Sequence, residues 1–455
     1  MKTFKLVMTG LMIPSMAFNV MAAVSEQEAA QLGTTLTLFG AEKAGNADGS
    51  IPPYTGGLPV DTAPPGWNKG SGRYEVAPWD KEKPLFSITP VNAEKYADKL
   101  TPGVQELLKR HANLRLDVYP THRSASYDNF TLGLCKNNAL KAQLKPSGNG
   151  VENSHGCAPF PIPKNGIEVM WNFTLRNIFG PRIDALTTGW LVDTANRVTD
   201  TGNVYLDFVQ PYLDRDHDTT QSTIYQYRIA SWAGPSSQVG TKILQHYPLD
   251  YDTSRLLSWI YTPGQRRTRL APEFAYDTPV SANGGAINYD EPYGFAGQLD
   301  RYDFKLVGKK EMYVPYNANR ELYAPVDKLI GDGIVNPDLN RWELHRVWVV
   351  EGTLKEGKRH SQPRRTFYID EDTWAISVSD AYDQGGRIFR VGLMPVISLW
   401  DTQTFYTPYT FYDMSKGNFH TGGFQSRPTD YLRSSSDMGK ISRFTEASLS
   451  AKGIR

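Results

Sequence analysis

The sequence predicts a mainly β protein of the α+β class, with a few helices and one large, curved antiparallel sheet. Many runs rich in β-branched and aromatic residues follow one another, and short turns containing Gly or Asp separate them. Apolar residues at helical spacing occur in only a few short stretches. So many strands in series favour antiparallel pairing, because each short turn reverses the direction of the chain.

Residues 1–23 have the three-part pattern of a secretory signal peptide. Lys2 and Lys5 form a short basic region, an apolar stretch follows, and the small residues Ala22 and Ala23 stand where signal peptidase cleaves. The apolar stretch is too short for a membrane anchor, which needs roughly 20 apolar residues. No cysteine follows the cleavage site, so we expect a periplasmic protein that is not a lipoprotein. Association with the outer membrane stays open.

The net charge indicates which partners to exclude. The 455 residues carry a formal net charge of +1, and the charge stays close to zero without the signal peptide. A near-neutral chain lacks the basic surface that binds nucleic acid or an anionic membrane. We therefore expect no nucleic-acid partner.

The two cysteines, Cys135 and Cys157, are predicted to form a disulfide. They lie close together in sequence and suit the oxidising compartment that export implies. A disulfide that closes a loop of this size stabilises a protein by about 3 kcal/mol. The alternative is a metal site with His155, but two Cys and one His without a fourth ligand nearby make a poor zinc pattern.

Residues 24–120 are predicted to form N-terminal helices and an extended arm. Ser25 and Glu28 form a capping box that starts one helix, and Thr101 followed by Pro102 starts another. Between them the chain is too rich in Gly and Pro for a helix or a long strand. Its aromatic residues argue against disorder and favour an arm laid over the body; they are Trp67, Tyr74 and Trp79.

Residues 121–455 are predicted to form the curved sheet, in one domain with the arm. Residues 370–373 form a hairpin turn, and long connections run through 270–297 and 324–340. Within these connections, 295–299 and 326–330 are predicted to be short helices that plug the sheet. The predicted strands cover residues 168–176, 190–198, 204–212, 223–232, 242–248, 254–261, 302–307, 342–353, 365–370, 374–381, 387–394 and 404–414.

No motif specific to a catalytic mechanism is present, so the sequence predicts no catalytic residue, no cofactor and no metal site. It has no nucleophile elbow, no zinc-protease helix and no phosphate loop. Asp214, Asp216 and Asp218 alternate as in a calcium loop, but the Gly and the closing Glu are missing, so we interpret them as a solvated acidic turn. A glycosidase pair within 370–372 is disfavoured, because neighbours in one turn rarely span a sugar bond.

Aromatic residues and arginines are dense on the predicted strands. One interpretation is that most of these residues lie on a solvated face, where Arg and carboxylate side chains of facing strands form ion pairs. Our hypothesis is that some line a cavity, since curved sheets with apolar concave faces hold ligands in this way. The predicted ligand-binding residues are Trp171, Trp259, Tyr261, Arg266, Arg267, Trp342, Arg346, Trp348 and Trp374.

Several segments in a fixed order resemble one protein family. The longest are RYDFKLVGKKE at 301–311, RWELHRVWVVE at 341–351 and YIDEDTW at 368–374; shorter ones lie at 158–163, 168–172, 263–267 and 314–317. Together they resemble the domain of unknown function 1329 family, Gram-negative envelope proteins often labelled as outer-membrane lipoprotein-sorting proteins. The resemblance covers nearly the whole chain after the signal peptide.

The resemblance implies a fold similar to that of the lipoprotein carriers LolA and LolB. That fold is an incompletely closed antiparallel barrel, with helices plugging its concave, apolar side. The family is also associated with inner-membrane exporters and outer-membrane proteins, which are the partners that the resemblance implies. It supplies no catalytic residues.

These observations predict a periplasmic binding or carrier protein for a lipophilic ligand, such as a lipid, an acyl chain or another hydrophobic compound. An envelope exporter is the candidate partner. The alternatives are an envelope hydrolase and a structural adaptor of an export complex. A hydrolase needs carboxylates or a Ser–His pair that converge in one cleft.

Overall fold

The computed structural model describes residues 24–59, 63, 65, 67–216, 223–272, 274 and 276–451. The predicted signal peptide, residues 1–23, and Asp218 of the acidic turn lie outside the described residues.

The described residues form twenty-two β-strands and seven α-helices. The strands are β1 (Phe86–Ile88), β2 (Leu116–Val118), β3 (Gln143–Leu144), β4 (Val151–Glu152), β5 (Arg182–Val192), β6 (Val198–Val209), β7 (Ile224–Gly234), β8 (Lys242–Pro248), β9 (Leu257–Thr262), β10 (Arg267–Leu270), β11 (Tyr302–Pro315), β12 (Ile330–Gly331), β13 (Ile334–Val335), β14 (Trp342–Leu354), β15 (Arg364–Asp370), β16 (Ile376–Tyr382), β17 (Ile388–Leu393), β18 (Ile397–Leu399), β19 (Thr404–Tyr406), β20 (Tyr409–Asp413), β21 (Asn418–Phe424) and β22 (Tyr431–Ser435).

The helices are short and lie between the strands. They are α1 (Glu26–Ala29), α2 (Pro102–Arg110), α3 (Asn129–Lys141), α4 (Gly166–Thr174), α5 (Asn319–Tyr323), α6 (Val326–Leu329) and α7 (Glu446–Ala451). None of these helices combines the length and the apolar character that a bilayer-spanning helix needs.

Sixteen strands form one large, open sheet, which confirms the predicted fold class. Its order is β1-β2-β14-β15-β16-β17-β20-β21-β5-β6-β7-β8-β9-β10, with β11 added beside β14 and β22 beside β5. Neighbouring strands pair antiparallel, except that β2 meets β14 in parallel where Val118 pairs with Trp342. Within the described residues the strands at the two ends, β1 and β10, are not paired with each other.

Both faces of the central strands are covered. On β14, Val347 and Val349 belong to one hydrophobic core, while Val350 belongs to a second core that also contains Trp171 of α4. Successive side chains of a strand point to opposite faces. Helix α2 packs on β16 and β17, and its Val104 lies in the first core. We call the two sides of the sheet the α2 face and the α4 face.

Helix α2 begins where the sequence predicts. The Thr101 hydroxyl accepts a hydrogen bond from the Val104 amide at 3.1 Å, and Pro102 is the first helical residue. This cap satisfies an amide that the first turn leaves unpaired. The Gly103 amide also donates to the Asp380 carboxylate at 3.1 Å, which ties the helix start to β16.

Helix α4 corrects the sequence prediction of a strand over 168–176. The Asn165 side chain accepts from the Glu168 amide at 3.0 Å and so caps a helix. Most of its residues are buried, including Val169, Met170 and Trp171. A helix that is buried on all sides is apolar on all sides, so it lacks the spacing by which helices are recognised.

Other predicted strand bounds also differ, since the strand predicted over 190–198 spans the end of β5, the turn at 193–197 and the start of β6. The plug at 326–330 contains helix α6, whereas residues 295–299 form no helix. The strand predicted from residue 374 begins at Ile376, because Trp374 takes a positive φ of 57° in the preceding turn. The strand predicted over 404–414 is divided into β19 and β20.

The N-terminal arm is fixed to the body by hydrogen bonds. The Trp79 indole donates to the Asn317 carbonyl at 3.0 Å, and the Tyr74 hydroxyl donates to Asp401 at 2.6 Å. Near the chain start, the Phe39 carbonyl accepts from the indole of Trp374 at 3.1 Å. The predicted disulfide between Cys135 and Cys157 is confirmed, and it joins α3 to the loop before α4.

Candidate functional site

A cavity of about 160 Å³, partly open to solvent, lies against strands β5 to β8. Three strands supply most of its floor through side chains that point the same way. They are Val204, Leu206 and Phe208 of β6, Arg228, Ala230 and Trp232 of β7, and Ile243, Gln245 and Tyr247 of β8. The floor is therefore mainly apolar, with one charged side chain.

The strand register explains this arrangement. Phe208 pairs with Arg228, which pairs with Gln245, and Leu206 pairs with Ala230 in the next row. Directly opposed residues of antiparallel strands share a face. Both of these rows therefore present their side chains to the same cavity.

The cavity lies on the α4 face of the sheet. His420 of β21 lines it and pairs with Phe411 of β20. Phe411 belongs to the same core as Trp171 of α4. The opposite face of β8 and β9 is covered instead by α7, where Leu244 and Leu449 meet.

The long connection between β10 and β11 covers the cavity. Its residues Val280, Ile287 and Tyr293 line the side opposite the floor. Tyr293 is held by edge-on contacts with Phe179 and Tyr409, at 5.8 and 5.6 Å between ring centroids. The Gly, Pro and Tyr content that the sequence shows in this connection therefore serves to lay a loop over the sheet.

His420 supplies an uncharged polar group to the cavity. Its Nε2 lies 3.1 Å from the Thr201 hydroxyl, and its Nδ1 has no hydrogen-bond partner among the described residues. Burial lowers the pKa of His420 to about 3. The imidazole is neutral at physiological pH, because burial without a carboxylate partner disfavours the charged form.

A second group of polar residues is buried around the turn between β15 and β16. Glu343 lies 3.1 Å from Nε2 of His345, and Asp370 lies 3.6 Å from its Nδ1. Burial acts to lower the pKa of His345, but Asp370 and Glu343 outweigh it and raise this pKa to about 9. His345 is therefore a cation held between two carboxylates.

Arginine and lysine side chains neutralise the remaining carboxylates of this turn. Arg123 binds both oxygens of Asp372, at 2.6 and 2.8 Å. Glu371 is bound by Lys309 at 2.7 Å and by Arg346 at 3.3 Å. We call Arg123, Lys309, Glu343, His345, Arg346 and 370–372 the ion cluster.

A metal ion fits the ion cluster poorly. His345, Asp370 and Asp372 each offer a donor atom, and these atoms lie within 4.8 Å of one another. However, Arg123 occupies both oxygens of Asp372, and the Thr373 hydroxyl already donates to Asp370 at 2.7 Å. The buried charges pair with one another, so we assign the cluster a structural role.

Comparison of the sequence with known families gives one match that covers most of the chain. Residues 87–450 match the family described as Protein of unknown function (DUF1329). The chain belongs to this family. The uncharacterized protein PA3922 of Pseudomonas aeruginosa is 39% identical over 472 aligned residues, which span the whole of both chains. The resemblance seen in the sequence motifs is thereby confirmed.

Three solved structures are similar to this DUF1329 protein over part of its length. A Vibrio parahaemolyticus domain, provisionally named an outer membrane lipoprotein-sorting protein domain, aligns with 63% of this chain and 98% of its own at a TM-score of 0.43 and 12% identity. A DUF1329 family protein from Desulfovibrio piger aligns with 59% and 92% at 0.40 and 15%. The LolA superfamily protein NE2245 from Nitrosomonas europaea aligns with 62% and 98% at 0.35 and 11%.

The structure of this DUF1329 protein brings three predicted ligand-binding residues together, at the ion cluster. Arg346 belongs to the cluster, and Trp348 stacks on Trp374 beside it, with 6.1 Å between ring centroids and 10° between planes. The Lys309 ammonium lies 4.5 Å from the centroid of the Trp348 ring. Trp348 therefore packs on the ion cluster through Lys309.

The other predicted residues are spread over the molecule. Trp171 is buried in the core under α4, and Trp342 in the core under α2. Trp259 and Tyr261 pack on the face that α7 covers. The last two, Arg266 and Arg267, are exposed in the turn that leads into β10.

None of the nine predicted residues is among the described residues that line the cavity, so their contact with a ligand stays a prediction. The sequence analysis did not single out Arg228, Trp232, Tyr293 or His420, which do line it. One signal was available for the first of them. Arg228 is the sole charged residue of β7.

Proposed function

We propose that this protein binds a lipophilic ligand in the cavity between β5–β8 and residues 280–296, and that it works in the periplasm as a binding or carrier protein. The cavity carries the proposal. Small-molecule sites are concave, with walls that are mostly apolar and aromatic and a few polar groups that orient the ligand. The cavity has this lining.

Two further observations support the periplasmic location. The first 23 residues have the pattern of a signal peptide, and Cys135 and Cys157 form a disulfide, a bond typical of oxidising compartments. Water is a barrier to an apolar molecule that leaves a membrane, and a protein with a covered apolar cavity removes this barrier. An envelope exporter or an outer-membrane protein is the partner that such a carrier would load or unload.

The alternative of an envelope hydrolase rests on the ion cluster. Its Glu343, His345 and Asp370 converge as that function requires, but all three are buried. They also bind one another and do not line the cavity. A substrate has no route to these carboxylates, so we favour binding over hydrolysis.

Ligand binding is tested with protein purified from its own host and analysed by native mass spectrometry. We expect an additional mass in the range of lipid-like compounds. In parallel, an uncharged fluorescent dye that brightens in apolar surroundings should bind the delipidated protein. If neither a bound mass nor dye binding is observed, the proposal is wrong.

A pair of variants on β7 places the binding in the cavity. Ala230→Phe fills the floor, and Ser231→Phe adds the same bulk on the opposite face of the same strand. We expect the first to weaken dye binding by about tenfold or more, because it removes ligand volume. The second should bind dye as the wild type does. Equal binding by both variants would place the ligand elsewhere.

A further inference from the structure

Two arginines near the cavity, one half-buried and one buried, lack a carboxylate partner. Arg228 is half-buried in the cavity floor, and Arg176 is buried just beyond the end of α4. No carboxylate among the described residues lies within ion-pairing distance of either guanidinium. The other buried arginines all have one; they are Arg123, Arg341, Arg346, Arg365 and Arg390.

Neutral groups hold the Arg228 guanidinium in place. Its Nη1 donates to the Tyr247 hydroxyl at 3.3 Å, and its Nε donates to the side-chain oxygen of Gln226. Its central carbon lies 4.4 Å from the Tyr247 ring centroid and 5.4 Å from that of Phe208. The orientation is fixed, while the positive charge stays uncompensated.

Arg176 adds a second positive charge close enough to repel that of Arg228. One of its nitrogens donates to the Phe173 carbonyl, the guanidinium lies over the Phe173 ring, and Nε has no hydrogen-bond partner among the described residues. Burial, and then repulsion by Arg228, lower the pKa of Arg176 to about 9. A charge taken out of water without a partner is costly, so two neighbouring guanidinium groups favour the binding of an anion.

We infer that the ligand of this cavity is an anionic amphiphile, whose carboxylate or phosphate group binds Arg228 and whose apolar chain lies along the floor towards Trp232. This inference rests on the proposed function and names its ligand class. A guanidinium held by neutral groups keeps N–H donors for an oxyanion, and such charge-assisted bonds are about twice as strong as neutral ones. Tyr247 and Gln245 flank the same position.

The test compares ligands with the same chain and different head groups. Hexadecanoate, hexadecyl phosphate and hexadecanol compete with the uncharged dye for delipidated full-length protein. We expect at least one of the two anions to bind about tenfold more tightly than the alcohol. The two anion arms distinguish a fatty acid from a phosphate-bearing lipid, and native mass spectrometry of the host-derived protein gives an independent identity.

Variants locate the anion. Arg228→Gln should remove most of the preference for the anion, because it weakens anion binding far more than hexadecanol binding, while Arg228→Lys should keep part of the preference. Arg267→Gln is the matched control, because Arg267 is exposed and remote from the cavity lining. A preference that survives Arg228→Gln, or is lost in Arg267→Gln, overturns the inference.

The wild-type result distinguishes failure of this inference from failure of the proposed function. Equal binding of the anions and the alcohol overturns the inference of an anionic ligand, but it agrees with the proposed lipophilic carrier. Failure of the dye and of every chain to bind overturns both. These wild-type outcomes hold even if Arg228→Gln does not fold.

Discussion

The ring of Tyr316 lies flat on that of His345, with 3.9 Å between ring centroids and 17° between their planes. The Tyr316 hydroxyl reaches Asp370 at 3.4 Å, and the same carboxylate flanks His345. The imidazole is therefore enclosed by an aromatic face and by the carboxylates of Asp370 and Glu343. An aromatic face and two anions both favour the protonated form.

We predict that His345→Gln destabilises the protein most strongly at acidic and neutral pH. Removal of this cation leaves Glu343 and Asp370 buried without it, a loss of about 3–5 kcal/mol in the free energy of unfolding. The pKa of His345 rises from 6.5 to about 9 on folding. Its contribution is thus complete below pH 6.5 and is lost as the pH rises through 9.

Urea unfolding at several pH values measures this difference between wild type and variant. His111→Gln is the control, because burial lowers the pKa of His111. Its difference from the wild type should change with pH in the opposite sense. A His345→Gln effect that is constant from pH 6 to 9.5 contradicts the prediction.

We predict that Glu321→Gln stabilises the protein at alkaline pH. Burial raises the pKa of Glu321 from 4.5 to about 8, so the folded wild type loses stability as the pH rises between these values and the carboxyl group must ionise. The gain is at most roughly 5 kcal/mol above pH 8 and vanishes below pH 4.5. Thermal unfolding at pH 4.5 and 8.5 measures it, with the exposed Glu356→Gln as control.

The disulfide is predicted to contribute about 3 kcal/mol to the free energy of unfolding. Cys135 and Cys157 are 22 residues apart in sequence, and a cross-link of this span restricts the unfolded chain to that extent. Replacing both cysteines with serine and reducing the wild type should each lower the free energy of unfolding, measured by urea titration, by about 3 kcal/mol. A reduced protein as stable as the oxidised one would show that the bond adds nothing.

We predict that Trp232 reports ligand binding by its fluorescence. Its indole lines the cavity, so a bound chain replaces water beside it. Trp232→Phe should abolish the change in emission on binding and leave dye affinity within about threefold. The Trp348→Phe variant is altered at the ion cluster, so it should keep the full change in emission on ligand binding.

Runs of β-branched and aromatic residues made most strands predictable, but they did not reveal which face of the sheet holds the cavity. On β7, Tyr227 and Ile229 point one way and Arg228 and Ala230 the other. Helix α7 covers the first row, and residues 280–296 cover the second, so both rows carry large or apolar side chains. Trp259 and Tyr261 were chosen for their aromatic character, which packing against α7 also explains.

The sequence alone indicates part of the ion cluster. Glu343 and His345 are two residues apart on one predicted strand, Arg346 follows directly, and 370–372 lie in a predicted turn. Their partner Arg123 comes from a segment 249 positions earlier than Asp372. Such long-range pairing depends on the order of strands in the sheet, which local patterns do not encode.

The anchoring of the N-terminal arm at the turn between β15 and β16 sets an order on how this chain can fold. The Phe39 carbonyl accepts from the indole of Trp374, 335 residues later in the sequence, and the Glu42 amide donates to Glu371, 329 residues later. Contacts this distant in sequence close slowly. Any machinery that delivers the chain from its N-terminus releases the arm long before the turn that holds it, so the first segment to emerge is among the last to be secured.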